Sequence, residues 1–170
     1  TGHVRIYKNT GNNYQLINEI NGEEPVDNSG TSVSLSSDGS VVAIGAPNAS
    51  HGTFGASKTG HVRIYETLNL NNFGYETGFV GSISNNAKQI GNDIDGEMSN
   101  ARTGSSVSLS SDGSVLAIGS YRYGKYQGGG GRVQVYKNVN GEWTQVGQNL
   151  DGEAAGDDSG YSVSLSSDGS

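Results

Sequence analysis

One twenty-residue passage is written three times in this chain. It reads NGEEPVDNSGTSVSLSSDGS at 21–40, DGEMSNARTGSSVSLSSDGS at 95–114 and DGEAAGDDSGYSVSLSSDGS at 151–170. Self-similarity at intervals of tens of residues marks a repeat architecture, in which each unit buries its apolar face against the next. The interval from Val33 to Val107 exceeds that from Val107 to Val163, because the first contains an added segment, about Leu70 to Ala87. That segment is rich in Asn and Gly, carries Phe73, Tyr75 and Phe79, and reads as a surface loop.

Within the passage, Ser-Val-Ser-Leu-Ser alternates polar and apolar residues, the period of a strand with one buried face. Val33 and Leu35 share that face, as do Val107 and Leu109, and Val163 and Leu165. The Asp-Gly that follows favours a tight hairpin. Next comes a short apolar run, Val41–Gly45 or Val115–Gly119, which predicts a strand buried on both faces. A third strand is expected at Gly60–Tyr65 and Gly131–Tyr136, and a fourth at Tyr14–Ile17, Lys88–Gly91 and Trp143–Gly147. Gln15, Gln89 and Gln145 align when each unit is anchored on its Gly-Glu pair. Four short antiparallel strands per repeat, with no amphipathic helix, predict an all-β chain of β-propeller blades. The expected division is 1–22 (the last two strands of one blade), 23–96 (a blade with its insertion at about 70–87), 97–152 (a further blade) and 153–170 (the first strand of another). A propeller ring needs four to eight blades. This count predicts an incomplete portion of a larger propeller, finished by further blades of the same chain or by copies of it.

Composition narrows the partners. Gly contributes 28 residues and hydrophobic types 32%, so the core is divided thinly among many turns. With no Cys, neither disulfides nor thiolate zinc sites hold it. A net charge of −7 without a Lys/Arg cluster argues against nucleic acid and anionic lipid. No apolar stretch approaches the length of a membrane helix.

The succession Gly30-x-Ser-Val-Ser, Ile44-Gly45-Ala46-Pro47 and Gly60-x-Val-x-Ile-Tyr65 resembles the FG-GAP propeller repeat of integrin α-subunit heads and of microbial surface and secreted proteins. The resemblance spans nearly the whole chain outside 70–87. The stretch from Leu35 to Ile44 is also similar to the central hairpin of WD40 blades, without their Trp-Asp ending. What the FG-GAP resemblance implies is an extracellular or cell-surface binding or adhesion module. Integrin-type blades often hold calcium in an Asp-rich loop between the first two strands. Here that connection is Ser37-Asp38-Gly39-Ser40, with a single carboxylate, whereas calcium needs six to eight oxygens. Candidate calcium ligands therefore move to two acidic clusters: Asp93, Asp95 and Glu97, and Asp151, Glu153, Asp157 and Asp158. Turn-making, with carboxylates accepting from nearby amides, is the competing role.

Catalytic material is sparse. His3 and His61 occupy equivalent positions in repeated strands, and His51 has no partner suggested by spacing. Gly156–Gly160 has the look of a serine-protease nucleophile segment, yet its counterparts at 26–30 and 100–104 are a variable repeat loop. The Gly128–Gly131 run leads into a strand and lacks the Lys-Ser/Thr of a phosphate loop. A non-catalytic module with no obligatory cofactor is expected, binding a protein or a glycan. The candidate ligand loop is Tyr121, Arg122, Tyr123, Lys125 and Tyr126, where aromatics alternate with cations. The alternatives are a structural repeat unit of a filament, coat or surface layer, and a calcium-dependent adhesion module.

Overall fold

The computed structural model describes residues 2–50, 58–67 and 87–170. The expected insertion at about 70–87, with Phe73, Tyr75 and Phe79, lies outside the described residues except for Ala87, as does His51. The described chain is all-β and antiparallel, and its only helical element is one 3-10 turn at Lys125–Gln127. No described helix is long and apolar enough to cross a membrane.

Three sheets follow one another along the sequence. The first pairs β1 (His3–Asn9) with β2 (Tyr14–Asn21). The second orders β3 (Ser32–Leu35), β4 (Val41–Ala46) and β5 (His61–Glu66), then β6 (Lys88–Gln89) and β7 (Ile94–Asp95), both paired to β5. The third orders β8 (Ser106–Leu109), β9 (Val115–Ser120), β10 (Arg132–Val139) and β11 (Glu142–Asp151). Residues 153–170, expected to hold the first strand of a further blade, form none. The segment docks on the third sheet. Leu165 donates its N–H to Ser108 Oγ at 3.0 Å, and Ser111 N–H donates to Ser167 O at 2.8 Å.

Alternation decides which faces are buried. In β4, Ala43 joins a core with Val62, Ile64, Val107, Leu109, Leu116 and Ile118, between the second and third sheets. Val42 and Ile44 point the other way, into a core with Ile6, Ile20 and Tyr65. The apolar run is thus a strand buried on both sides, as its lack of alternation implied. Val107 and Leu109 are 8% exposed, whereas the equivalent Val33 and Leu35 are 53% and 49% exposed. The two-stranded first sheet covers β4 and β5 and leaves β3 bare on that face.

The outer strand bulges at one aligned position in every sheet. Register shifts between Ile6 and Tyr7 in the first sheet and between Val133 and Val135 in the third. In the second, the bulge separates β6 from β7. Gly91 and Gly147 sit there with φ of 72° and 73°. The aligned glutamines brace it: Gln89 Nε2 donates to Asp93 Oδ1 at 2.6 Å, and Gln145 Nε2 to Asn149 Oδ1 at 2.8 Å. This bulge sets the positions of Asp93 and Asp95.

Candidate functional site

Successive sheets meet through the serines of the repeated passage. Ser32 Oγ donates to Gly104 O and Ser106 Oγ to Gly160 O, both at 2.8 Å. Ser34 Oγ accepts from Leu109 N–H at 2.9 Å, as Ser108 Oγ accepts from Leu165. Equivalent positions of neighbouring repeats are therefore held side by side at one end of the sheets. There a cavity of about 360 Å³ opens, lined by Asn28, Thr31, Pro47, Asn48, Arg102, Ser105, Tyr121 and Tyr161. Its residues come from three repeats in register: Thr31, Ser105 and Tyr161 hold the same position, and so do Pro47 and Tyr121. Tyr121 and Tyr161 meet edge to face with centroids 5.4 Å apart, and the Arg122 guanidinium lies 5.4 Å from the Tyr121 ring. Nε of Arg102 and of Arg122, and Oδ1 of Asn48, are buried without a hydrogen-bond partner. Two ring edges, cationic groups and open amide and hydroxyl groups make a surface that stacks and hydrogen-bonds at once.

The five residues of the candidate ligand loop divide. Tyr121 lines the cavity, with Arg122 packed beside it. Tyr123 instead lies under the Arg132 guanidinium, 3.7 Å from ring centroid to Cζ, where it supports a strand. Lys125 reaches Asp158 at 3.9 Å, and Tyr126 projects outwards, 75% exposed. Asn28, Thr31, Asn48, Arg102, Ser105 and Tyr161 were not legible as site residues. Their signal was present, however. Asn28/Arg102/Asp158 and Thr31/Ser105/Tyr161 differ between copies while the flanking Ser-Val-Ser-Leu-Ser is invariant, and a position relieved of scaffold duty is free to diversify.

The acidic clusters also separate. Asp151 takes a bidentate ion pair from Arg132, Nε–Oδ1 at 2.5 Å and Nη2–Oδ2 at 2.9 Å. That hydrogen bonding holds its carboxyl below the usual range. Glu97 turns to the same arginine, at 3.0 Å from Nη1, and so away from Asp93 and Asp95. Asp157 Oδ2 accepts from Ala154 N–H at 2.7 Å, as Asp27 Oδ2 accepts from Glu24 N–H at 3.0 Å. This is turn-making. Asp158 sits at a φ of 52°, and Glu153 is exposed. Asp93 and Asp95 remain together beside His61: one ligand atom from each of the three lies within 4.8 Å of the others.

The hairpin aspartates are structural. Asp38 is lowered from 3.8 to about 2 by Ser40 N–H and by the hydroxyls of Ser36 and Ser40. Asp112 falls equally, to about 2, through the Ser110 hydroxyl and then Ser114.

No protein-family model matches the chain, and no curated protein sequence does.

Proposed function

We propose that this chain is a run of FG-GAP-type β-propeller blades, part of a larger propeller, and that it serves as a non-catalytic binding module on a cell surface or in a secreted protein. Two sheets in one strand order, the second and third, with the first strand of one (β3) packed on the first strand of the other (β8) through repeated hydroxyls, support the blade reading. The observation that carries the binding reading is the cavity built from equivalent positions of three repeats, with Tyr121 and Tyr161 at its wall and Arg102 beside them. Its volume of about 360 Å³ falls within the range of small-ligand sites. Aromatic edges among amides and hydroxyls favour a glycan over a flat protein surface. A glycan array probed with the labelled chain tests this, followed by calorimetry on the best hit. Tyr121→Ala with Tyr161→Ala should weaken binding at least tenfold while leaving the melting temperature within about 2 °C, because neither ring belongs to the buried core. Binding indifferent to that pair of substitutions, or no binding on the array, overturns the reading.

A further inference from the structure

The three sheets place one cross-strand pair at the same register, and its chemistry changes from copy to copy. The pair is His3 opposite Asn21 in the first sheet, His61 opposite Asp95 in the second and Arg132 opposite Asp151 in the third. In the third sheet a fixed cation, the Arg132 guanidinium, grips both oxygens of the carboxylate. In the second, the position opposite the carboxylate belongs to a fully buried imidazole, and Asp93 joins it from two residues earlier.

The arginine next along the strand does not fill the gap. Arg5 opposes Glu19 in the first sheet and pairs with it at 2.7 Å. Its counterpart Arg63 turns instead to the connection that follows β2, bonding Glu23 at 2.9 Å. Asp93 is left in the His61 cluster, its Oδ1 oriented by Gln89.

We propose that His61, Asp93 and Asp95 form a binding site for a divalent transition-metal ion, with zinc as the reference ion. One imidazole nitrogen and two carboxylates are a donor set that zinc accepts, leaving a fourth position for water or an incoming group. Calcium prefers six to eight oxygens, so the imidazole turns selectivity towards the nitrogen-accepting ions. Tetrahedral ligands about 2.1 Å from zinc stand about 3.4 Å apart. The present spacing, within 4.8 Å, closes with small side-chain rotations. The metal would clamp the short β7 to β5, the role that Arg132 and Asp151 perform in the third sheet. This site is independent of the cavity proposed for ligand binding.

Calorimetric titration of the 170-residue chain with zinc chloride, alongside thermal melts with zinc, calcium or chelator, tests the site. The expected result is saturable one-to-one zinc binding and a melting temperature raised by zinc and not by calcium. Asp95→Asn, on an exposed side chain, should weaken zinc binding at least tenfold. His61→Arg, which installs the third sheet's cation, should abolish zinc binding. The cobalt-loaded chain should show a visible spectrum that His61→Arg removes. Absence of saturable zinc binding overturns the proposal. Zinc affinity unchanged in Asp95→Asn and His61→Arg overturns it too, by locating the ion elsewhere. A response to calcium alone, lost in Asp95→Asn, overturns the choice of metal.

Discussion

Ser110 shows how much one hydroxyl does in this chain. It is fully buried, donates to Asp112 Oδ1 at 2.7 Å and accepts from Val115 N–H at 2.9 Å. Ser36 repeats both bonds with Asp38 and Val41. Ser110→Ala leaves the Val115 amide buried without an acceptor, a loss of about 1–3 kcal/mol, to be read from urea unfolding at constant m-value. The same turn makes the fold acid-sensitive. Asp38 and Asp112 have folded values near 2, below the ordinary 3.8. Their contribution is therefore fully present above about pH 4 and lost as pH falls through 2. Melting temperature followed from pH 5 to pH 2 should fall, and Asp112→Asn should both lower it at pH 5 and flatten the slope. A slope unchanged by Asp112→Asn would assign the acid sensitivity to other carboxylates.

At the level of the strand, the glycine inside the apolar run is a contact residue. A Cβ on Gly119 would meet Gly160 O at 2.0 Å, and one on Gly45 would meet Gly104 O at the same distance. Neighbouring repeats approach closely there, with Ser106 Oγ donating to Gly160 O at 2.8 Å beside Gly119. Gly119→Ala must push the backbones apart and should destabilise by about 3 kcal/mol, visible as a lower denaturant midpoint. The outer strand illustrates what periodicity misses. Alternation gave a short fourth strand at Lys88–Gly91 and Trp143–Gly147. The structure extends β11 to Asp151 and adds β7 after the bulge. The bulge breaks the period-two pattern at Gly91 and Gly147, so residues beyond it looked like loop. Asp93 and Asp95 therefore carry no strand signal in the sequence, and their neighbour His61 lies distant from them along the chain.

Across the whole molecule, stability is shared between neighbouring sheets rather than held in one centre. Leu109 sits in the core between the second and third sheets, and Trp143 of the third donates its indole N–H to Ile90 O of the second at 3.2 Å. Leu109→Ala should cost about 3 kcal/mol. Because that loss falls on a junction, it should broaden the unfolding transition into two steps. A single transition of unchanged sharpness in fluorescence and circular dichroism would show that the sheets unfold as one body despite the weakened junction.

The sequence by itself determined the repeat, the strand faces and the hairpins, because alternation, an unbroken apolar run and Asp-Gly are local signals. It also carried the bonds between repeats, as hydroxyls spaced two apart on one strand. Tertiary structure decided which acidic residues meet a cation and which loops meet each other. Arg132 of the third sheet draws in Glu97, which follows β7 of the second, and Tyr121 meets Tyr161 across forty residues of chain. Such partners are set by the stacking of one sheet on the next, a distance that no local pattern encodes.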